Sequence, residues 1–365
     1  MRLVAGLLTA ALLAGAYFVG DTRNFAEAAS LDYATVQDRI TEEERWLAGL
    51  QLADGSLPMN RTSLRMVPYF TNLGLMGLVD NPEYAGTVRR WITWYVENLN
   101  RPDALGVHGT VYDHEVWYGA SRPTQSYDSS DSYAATFLTL VRAYYDTTGD
   151  AAFLRGIEAD LRLVAGAIYS TMDPRDGLTY AKADYRIKYL MDNAEVYRGL
   201  LDWAYLLREV YGDAGEAERV EQDAQAVRAS LLAMWQGTAF AYAKDERGGL
   251  FRSDWAKWYP DATAQLFPIW TDLLAPDDPR AQEIWMQFNE AHPEWVRHGH
   301  PDAFPWAVAG YVAAVMQDWE KVEAYAEVIE ARYVRMGRPW PWYIAESGWY
   351  LRMLKRYAEG SVLLP

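Results

Sequence analysis

The sequence predicts an all-α protein: an (α/α)6 toroid of six helical hairpins, with inner and outer helices alternating along the chain. Three observations predict it. Hydrophobic periodicity is helical almost throughout after residue 30. Charged helices alternate strictly with apolar, aromatic ones. Short and long connections alternate in step with them.

Taken in order, helices are expected near 35–51, 61–79, 82–99, 130–148, 150–171, 192–211, 213–236, 261–274, 278–290, 302–317, 319–336 and 342–358. The charged set includes TVQDRITEEERWLAGLQ in the first helix, AGTVRRWITWYVENL in the third and AGEAERVEQDAQAVRASLLAMW in the seventh. Each has a polar face suited to water. The apolar set includes SYAATFLTLVRAYY, NAEVYRGLLDWAYLL, ATAQLFPIWTDLL, AFPWAVAGYVAAVM and WYIAESGWYLRML, which need burial on most sides. From an apolar helix to the next charged one the link is short: VDNPEY, TTGDAA, YGDAGE, APDDPR, MQDWEK. These carry the Gly, Pro, Asn and Asp of tight helix ends, and a short link forces antiparallel neighbours. From a charged helix to the next apolar one the link is often long: 100–129, 172–191, 237–260 and 291–301. All long loops then gather at the end where inner helices begin, and loops of that length usually form a binding face. An α-solenoid would share a motif at a fixed period, and none is seen.

The chain has 365 residues, no cysteine, a net charge of −16 and 14% aromatic residues. Disulfides and thiolate metal sites are excluded. Arg2 precedes an uncharged run from Leu3 to Gly20, followed by Ala26-Glu27-Ala28, a small-x-small pattern. Residues 1–28 are therefore expected to be a signal peptide or, uncleaved, an N-terminal membrane anchor; residues 29–365 form a single catalytic domain. The domain is expected to be exported, extracellular or periplasmic, with no membrane contact beyond that anchor. So acidic a surface repels phosphate backbones, which excludes nucleic acid as a partner. No phosphate loop, nucleophile elbow or zinc-protease motif is present, and neither cofactor nor metal is expected.

Carboxylates mark the starts of the inner helices. Asp128 and Asp131 precede or open the second, Asp192 and Glu195 the third, Asp261 the fourth and Asp302 the fifth; Glu346 lies one turn into the sixth. Each alone is explained by capping and the helix dipole, and Asp192 with Glu195 has capping-box spacing. In one ring, however, they converge on one cleft. Glycoside cleavage needs two carboxyls, one protonated and one ionised. Adjacent helices pack about 8–10 Å apart, near the roughly 6.5–9.5 Å of inverting enzymes. The expected pair is Asp131 or Asp128 with Asp192.

The long loops are rich in aromatic and basic residues. Tyr112, Tyr127, Trp255, Trp258 and Trp342 are candidates to stack on sugar faces, with Trp255 to Tyr259 the preferred platform. Arg65, together with Arg61, Arg186, Lys188, Arg247, Arg252 and Lys257, either grips an anionic sugar or pairs with cleft acids. His300, in His298-Gly-His300, is a candidate for bonding substrate. Glu195, Asp261 and Glu346 complete the expected binding set.

The segments Tyr127-Asp-Ser-Ser-Asp-Ser-Tyr-Ala-Ala-Thr-Phe137, Tyr144-Tyr-Asp-Thr-Thr-Gly-Asp150, Met191-Asp-Asn-Ala-Glu-Val-Tyr-Arg-Gly-Leu200 and Glu346-Ser-Gly-Trp-Tyr350 resemble the six-hairpin glycosidase superfamily. The Asp-Asn pair opening an inner helix is similar to that of unsaturated glucuronyl hydrolases in the same superfamily. The resemblance implies a cleft at the inner-helix N-termini and acid–base cleavage of glycosidic bonds. The expected function is hydrolysis of a polysaccharide or oligosaccharide. A polysaccharide lyase acting on uronates and a non-catalytic carbohydrate-binding or assembly protein remain open on the same fold.

Overall fold

The computed structural model describes residues 31–117 and 119–361; the expected leader at 1–28 lies outside them. Among the described residues no helix is long and apolar enough to cross a membrane.

The outer helices are α1 (Tyr33–Ala48), α3 (Ala85–Glu97), the pair α5 (Ala151–Gly156) and α6 (Glu158–Thr171), α8 (Ala214–Leu232), α10 (Pro279–Ala291) and α12 (Trp319–Ile329). The inner helices are α2 (Pro68–Leu75), α4 (Asp131–Thr148), α7 (Leu190–Glu209), α9 (Phe267–Trp270), α11 (Ala307–Val315) and α13 (Ile344–Ser361). Outer helices bury one stripe. In α3 it is Val88, Trp91, Ile92 and Tyr95, while Arg89 and Arg90 face solvent. Burying a side chain of this kind contributes roughly 1.5–3 kcal/mol. Inner helices are covered nearly all round, and every residue of α4 from Asp131 to Val141 is buried.

Each inner helix packs on the next: α2 on α4, α4 on α7, α7 on α9, α9 on α11, α11 on α13, and α13 back on α2. The ring therefore closes. The first outer helix, α1, packs on the last inner one, α13. Arg338, ahead of α13, joins this seam by donating to Glu43 of α1 at 2.8 Å. Close approach between inner helices depends on glycine. A Cβ on Gly348 of α13 would lie 2.5 Å from both Gly74 Cα and the Leu73 carbonyl oxygen of α2.

The short links work as their residues require. Gly149 takes φ +64° after α4, and Asp150 then accepts from Phe153 N to start α5. Asp213 accepts from Glu216 N at α8, and Asp278 from Arg280 N at α10. The long links carry two three-stranded antiparallel sheets. One joins β1 (Arg65–Met66), β2 (His114–Trp117) and β3 (Ala120–Pro123); the other joins β4 (Ile187–Tyr189), β5 (Ala243–Asp245) and β6 (Leu250–Phe251).

Three inner helices are shorter than their periodicity suggests. The helix expected from 61 starts at Pro68, because Val67 precedes a proline and is extended. The fourth is a wide turn, Trp258–Ala262, followed by the single turn of α9, interrupted around Pro260 and Pro268. The fifth starts only at Ala307, after Pro305 and a left-handed Trp306 at φ +57°.

Candidate functional site

The inner-helix N-termini enclose a cavity of about 230 Å³. Its lining draws on Tyr69, Phe70 and Leu73 of α2, Asp128 and Tyr133 around the start of α4, and Met191 and Asp192 of α7. Tyr259 comes from the turn before α9, Asp302, Phe304 and Trp306 from the approach to α11, and Trp340, Tyr343, Glu346 and Trp349 from the last loop and α13. The walls are mainly aromatic. Four carboxyl groups reach the cavity, and among the described residues no Arg, Lys or His lines it.

The acids fall on two facing walls. Around a closed six-membered ring, α7 lies opposite α13 and α4 opposite α11. On the first wall Asp128 and Asp192 open into the cavity, and among the described residues no side chain donates to either carboxyl. Burial, then the charges of Asp131, Glu195 and Asp128, push Asp192 well above the usual carboxylate range. Burial also raises Asp128, and the nearby Lys182 opposes the rise. Glu195 lies behind Asp192, wholly buried. Its Oε1 accepts from the Tyr69 hydroxyl at 2.7 Å, its Oε2 has no partner among the described residues, and burial raises its pKa well above the usual value.

On the second wall Glu346 accepts from Trp306 N at 3.2 Å and Ala307 N at 2.6 Å. It thus caps α11 from the neighbouring inner helix. Burial pushes its carboxyl up to about 7, against the pull of those two N–H groups. Asp302 beside it accepts from Phe304 N and from Trp306 Nε1, each at 3.0 Å. Tyr259 bridges the walls: Asp128, Asp192 and Asp302 all act electrostatically on its hydroxyl.

Asp131 does not share this exposure. It has no solvent exposure; its Oδ1 accepts from Ser132 N at 2.8 Å and its Oδ2 from Thr179 Oγ1 at 2.7 Å. Thr179 N in turn donates to Asn193 Oδ1, so Asp131 ties α4 to the loop before α7. Burial pushes it up to about 7. The capping box expected of Asp192 and Glu195 is absent, since α7 already begins at Leu190 and no side chain caps it.

Several residues expected to face the cleft are turned into the loops instead. Tyr112 is buried, its hydroxyl accepting from Ala104 N, and Tyr127 is buried, donating to Asp103. Trp258 is buried and stacks on His300 at 4.4 Å, so neither ring lines the cavity; of the expected platform only Tyr259 does, and Trp255 packs against the core beneath. Asp261 is buried and clasps its own loop by accepting from Asp254 N. Trp342 is buried and donates to Glu43 of α1. The physical reason is shared: long loops need large apolar anchors and satisfied polar groups to hold their shape.

Four of the basic residues, Arg65, Arg186, Lys188 and Lys257, pair with loop acids. Arg65 is exposed and lies 3.8 Å from Asp113, a buried acid that also accepts from Tyr133 and is pushed up to about 7 by burial. Lys188 is buried between Asp173 and Asp176, Lys257 pairs with Asp254, and Arg186 with Glu246. Arg175, Arg186 and Arg247 line a separate open depression beside β4–β6, together with Asp173 and Glu246. No sequence pattern marks Tyr69 and Tyr343, which line the cavity, or Asp113 behind it. Acid type alone could have pointed to Asp113, but a Tyr at the very start of an apolar helix has no local signature.

Comparison of the sequence with protein-family models and with curated proteins gives no match. The structure is similar to solved ones. A protein titled "Glycosidase Wild Type" superposes with a TM-score of 0.66 at 14% identity, covering 91% of this chain and 98% of that one. A GH63 mannosylglycerate hydrolase from Thermus thermophilus, in complex with glucose, gives 0.61 at 14% identity, over 86% and 99%. A rhamnosidase from Klebsiella oxytoca with rhamnose bound gives 0.57 at 14% identity, over 90% and 66%. The chain has the (α/α)6 toroid fold of these glycosidases.

Proposed function

We propose that this protein is an exported glycoside hydrolase that cleaves an oligosaccharide with inversion, with Asp192 as general acid and Glu346 as general base. The observation that carries this is the placement of two differently tuned carboxyls on facing walls of one aromatic cavity. Neighbouring axes about 8–10 Å apart make opposite axes of a hexagonal ring about 16–20 Å apart. With Cα atoms about 2.3 Å from each axis and side chains reaching inward, the carboxyls fall roughly 6–9 Å apart. That leaves room for a water beside the sugar, as inversion needs.

The environments support these roles. The Asp192 carboxyl, desolvated among other acids and without a side-chain donor among the described residues, is held well above the usual carboxylate range, which favours its protonated form. It gives that proton to the glycosidic oxygen as the bond breaks. Glu346 faces two backbone N–H donors, which favour its anion. It takes a proton from the water that attacks the anomeric carbon on the other face. The proteins titled as glycosidase and mannosylglycerate hydrolase, of the same fold, support a sugar as ligand. A lyase acting on uronates needs a cation at the carboxylate, and the lining offers none among the described residues. Export is inferred from residues 1–28; the N-terminal sequence of protein recovered outside the cytoplasm should begin near Ala29, and retention in the cytoplasm overturns it.

The test is incubation of the purified protein with a glycan panel, reading new reducing ends and the absorbance of unsaturated products. Reducing ends without absorbance, lost by about 10²–10⁴-fold in Asp192→Asn, are expected. Full activity of that variant overturns the assignment.

A further inference from the structure

The charge inside the cavity bears on which sugar enters. Its four carboxyls come from Asp128, Asp192, Asp302 and Glu346, and no basic side chain among the described residues lines it. On the second wall both acids are already bonded by backbone or indole N–H groups. On the first, Asp192 is taken up by the proposed proton transfer. Among the described residues, Asp128 alone is an open cavity carboxyl with no side-chain donor and no part in that transfer. The nearest cation, Lys182, is half-buried, donates to the Tyr127 carbonyl oxygen and is not on the lining. The other nearby cation, Arg65, is engaged with Asp113. A volume of about 230 Å³ is below the roughly 300–1,000 Å³ of drug-sized sites, which suits one pyranose ring.

We propose that the terminal sugar bound in this cavity carries no anionic group, and that Asp128 holds it by accepting bonds from its hydroxyls. The identity of the ligand as a sugar rests on the glycosidase reading; its lack of negative charge rests on the lining. A uronate or sugar phosphate would set its charge a few ångströms from the cavity acids with no counter-cation. Like charges at that range in a partly desolvated site disfavour binding on the order of 100-fold. A neutral sugar offers the hydroxyl donors that Asp128 lacks, and a bond to a charged acceptor is worth roughly 10- to 100-fold in affinity.

The test is calorimetric titration of the full-length protein with matched pairs: glucose and glucuronate, mannose and mannuronate, galactose and galacturonate. At least one neutral member should bind, and its uronate should bind about 100-fold more weakly or not detectably. In Asp128→Asn the neutral sugar should lose roughly 10- to 100-fold, and the discrimination against its uronate should narrow by a similar factor. A uronate bound within tenfold of its neutral partner, no neutral sugar bound at all, or unchanged affinities in Asp128→Asn would each overturn the proposal. Turnover is scored separately with a nitrophenyl glycoside of the sugar that binds. Binding without turnover overturns the hydrolase reading and leaves the charge selection standing.

Discussion

Glu346 is asked to serve two purposes that conflict, and the conflict is measurable. Its carboxyl, ordinarily at 4.5, is pushed up to about 7 by burial. A carboxyl raised on folding binds its proton more tightly in the native state. Stability from this group is therefore full below the unfolded value and falls as pH rises from about 4.5 towards 7, after which it is flat. The whole difference is worth about 3 kcal/mol, of which about 2.5 kcal/mol falls between pH 5 and pH 8. Glu346→Gln cannot ionise and loses this dependence. At pH 5 the variant should be less stable by about 1 kcal/mol, since the amide retains one acceptor for Ala307 N but presents a donor to Trp306 N. At pH 8 the deficit should reverse by that 2.5 kcal/mol, or roughly 3–4 °C in melting temperature for a domain of this size. Turnover should fall about 10²–10⁴-fold throughout. The assay is calorimetric unfolding of both proteins at half-unit pH steps. A stability difference constant across that range would refute the account of Glu346 as a strained, buried base.

Two further substitutions separate structure from chemistry. Asp131→Asn keeps an acceptor for Thr179 and removes a charge that bears on Asp192, so kcat should fall no more than about tenfold; loss comparable to that of Asp192→Asn would place Asp131 in the reaction. Lys188→Met leaves the buried Asp173 and the half-buried Asp176 without their shared cation. The cost should be about 3 kcal/mol, at the low end for a broken buried pair, because Arg175 and Lys244 still reach the two acids. Urea unfolding showing a loss below about 1 kcal/mol would contradict this.

Much of the architecture was legible because its signals are local. A stripe such as Val88, Trp91, Ile92 and Tyr95 follows from helical geometry alone, and Gly149-Asp150 marks both a stop and a start. Errors cluster at prolines. Periodicity continues through Pro68, Pro268 and Pro305, while the backbone does not. The acids of the site were legible as a group, but their individual surroundings were not. Asp128 and Asp131 lie three residues apart and either could open into a cleft; the approach of Thr179, 48 residues later, seals Asp131 and leaves Asp128 exposed to the cavity.

By itself, then, the sequence determined the alternation of inner and outer helices, the end of the ring at which the long loops gather, and the acids placed there. These depend on periodicity, capping and link length, which act over a few residues. Only the tertiary structure decided which acids oppose each other and which aromatic rings meet solvent. Asp192 faces the wall of Glu346 because α13 closes on α2, a contact between distant parts of the chain. Trp258 and Trp342 turn inward, and Tyr69 and Tyr343 line the cavity, because side-chain burial is settled by what packs from outside each segment.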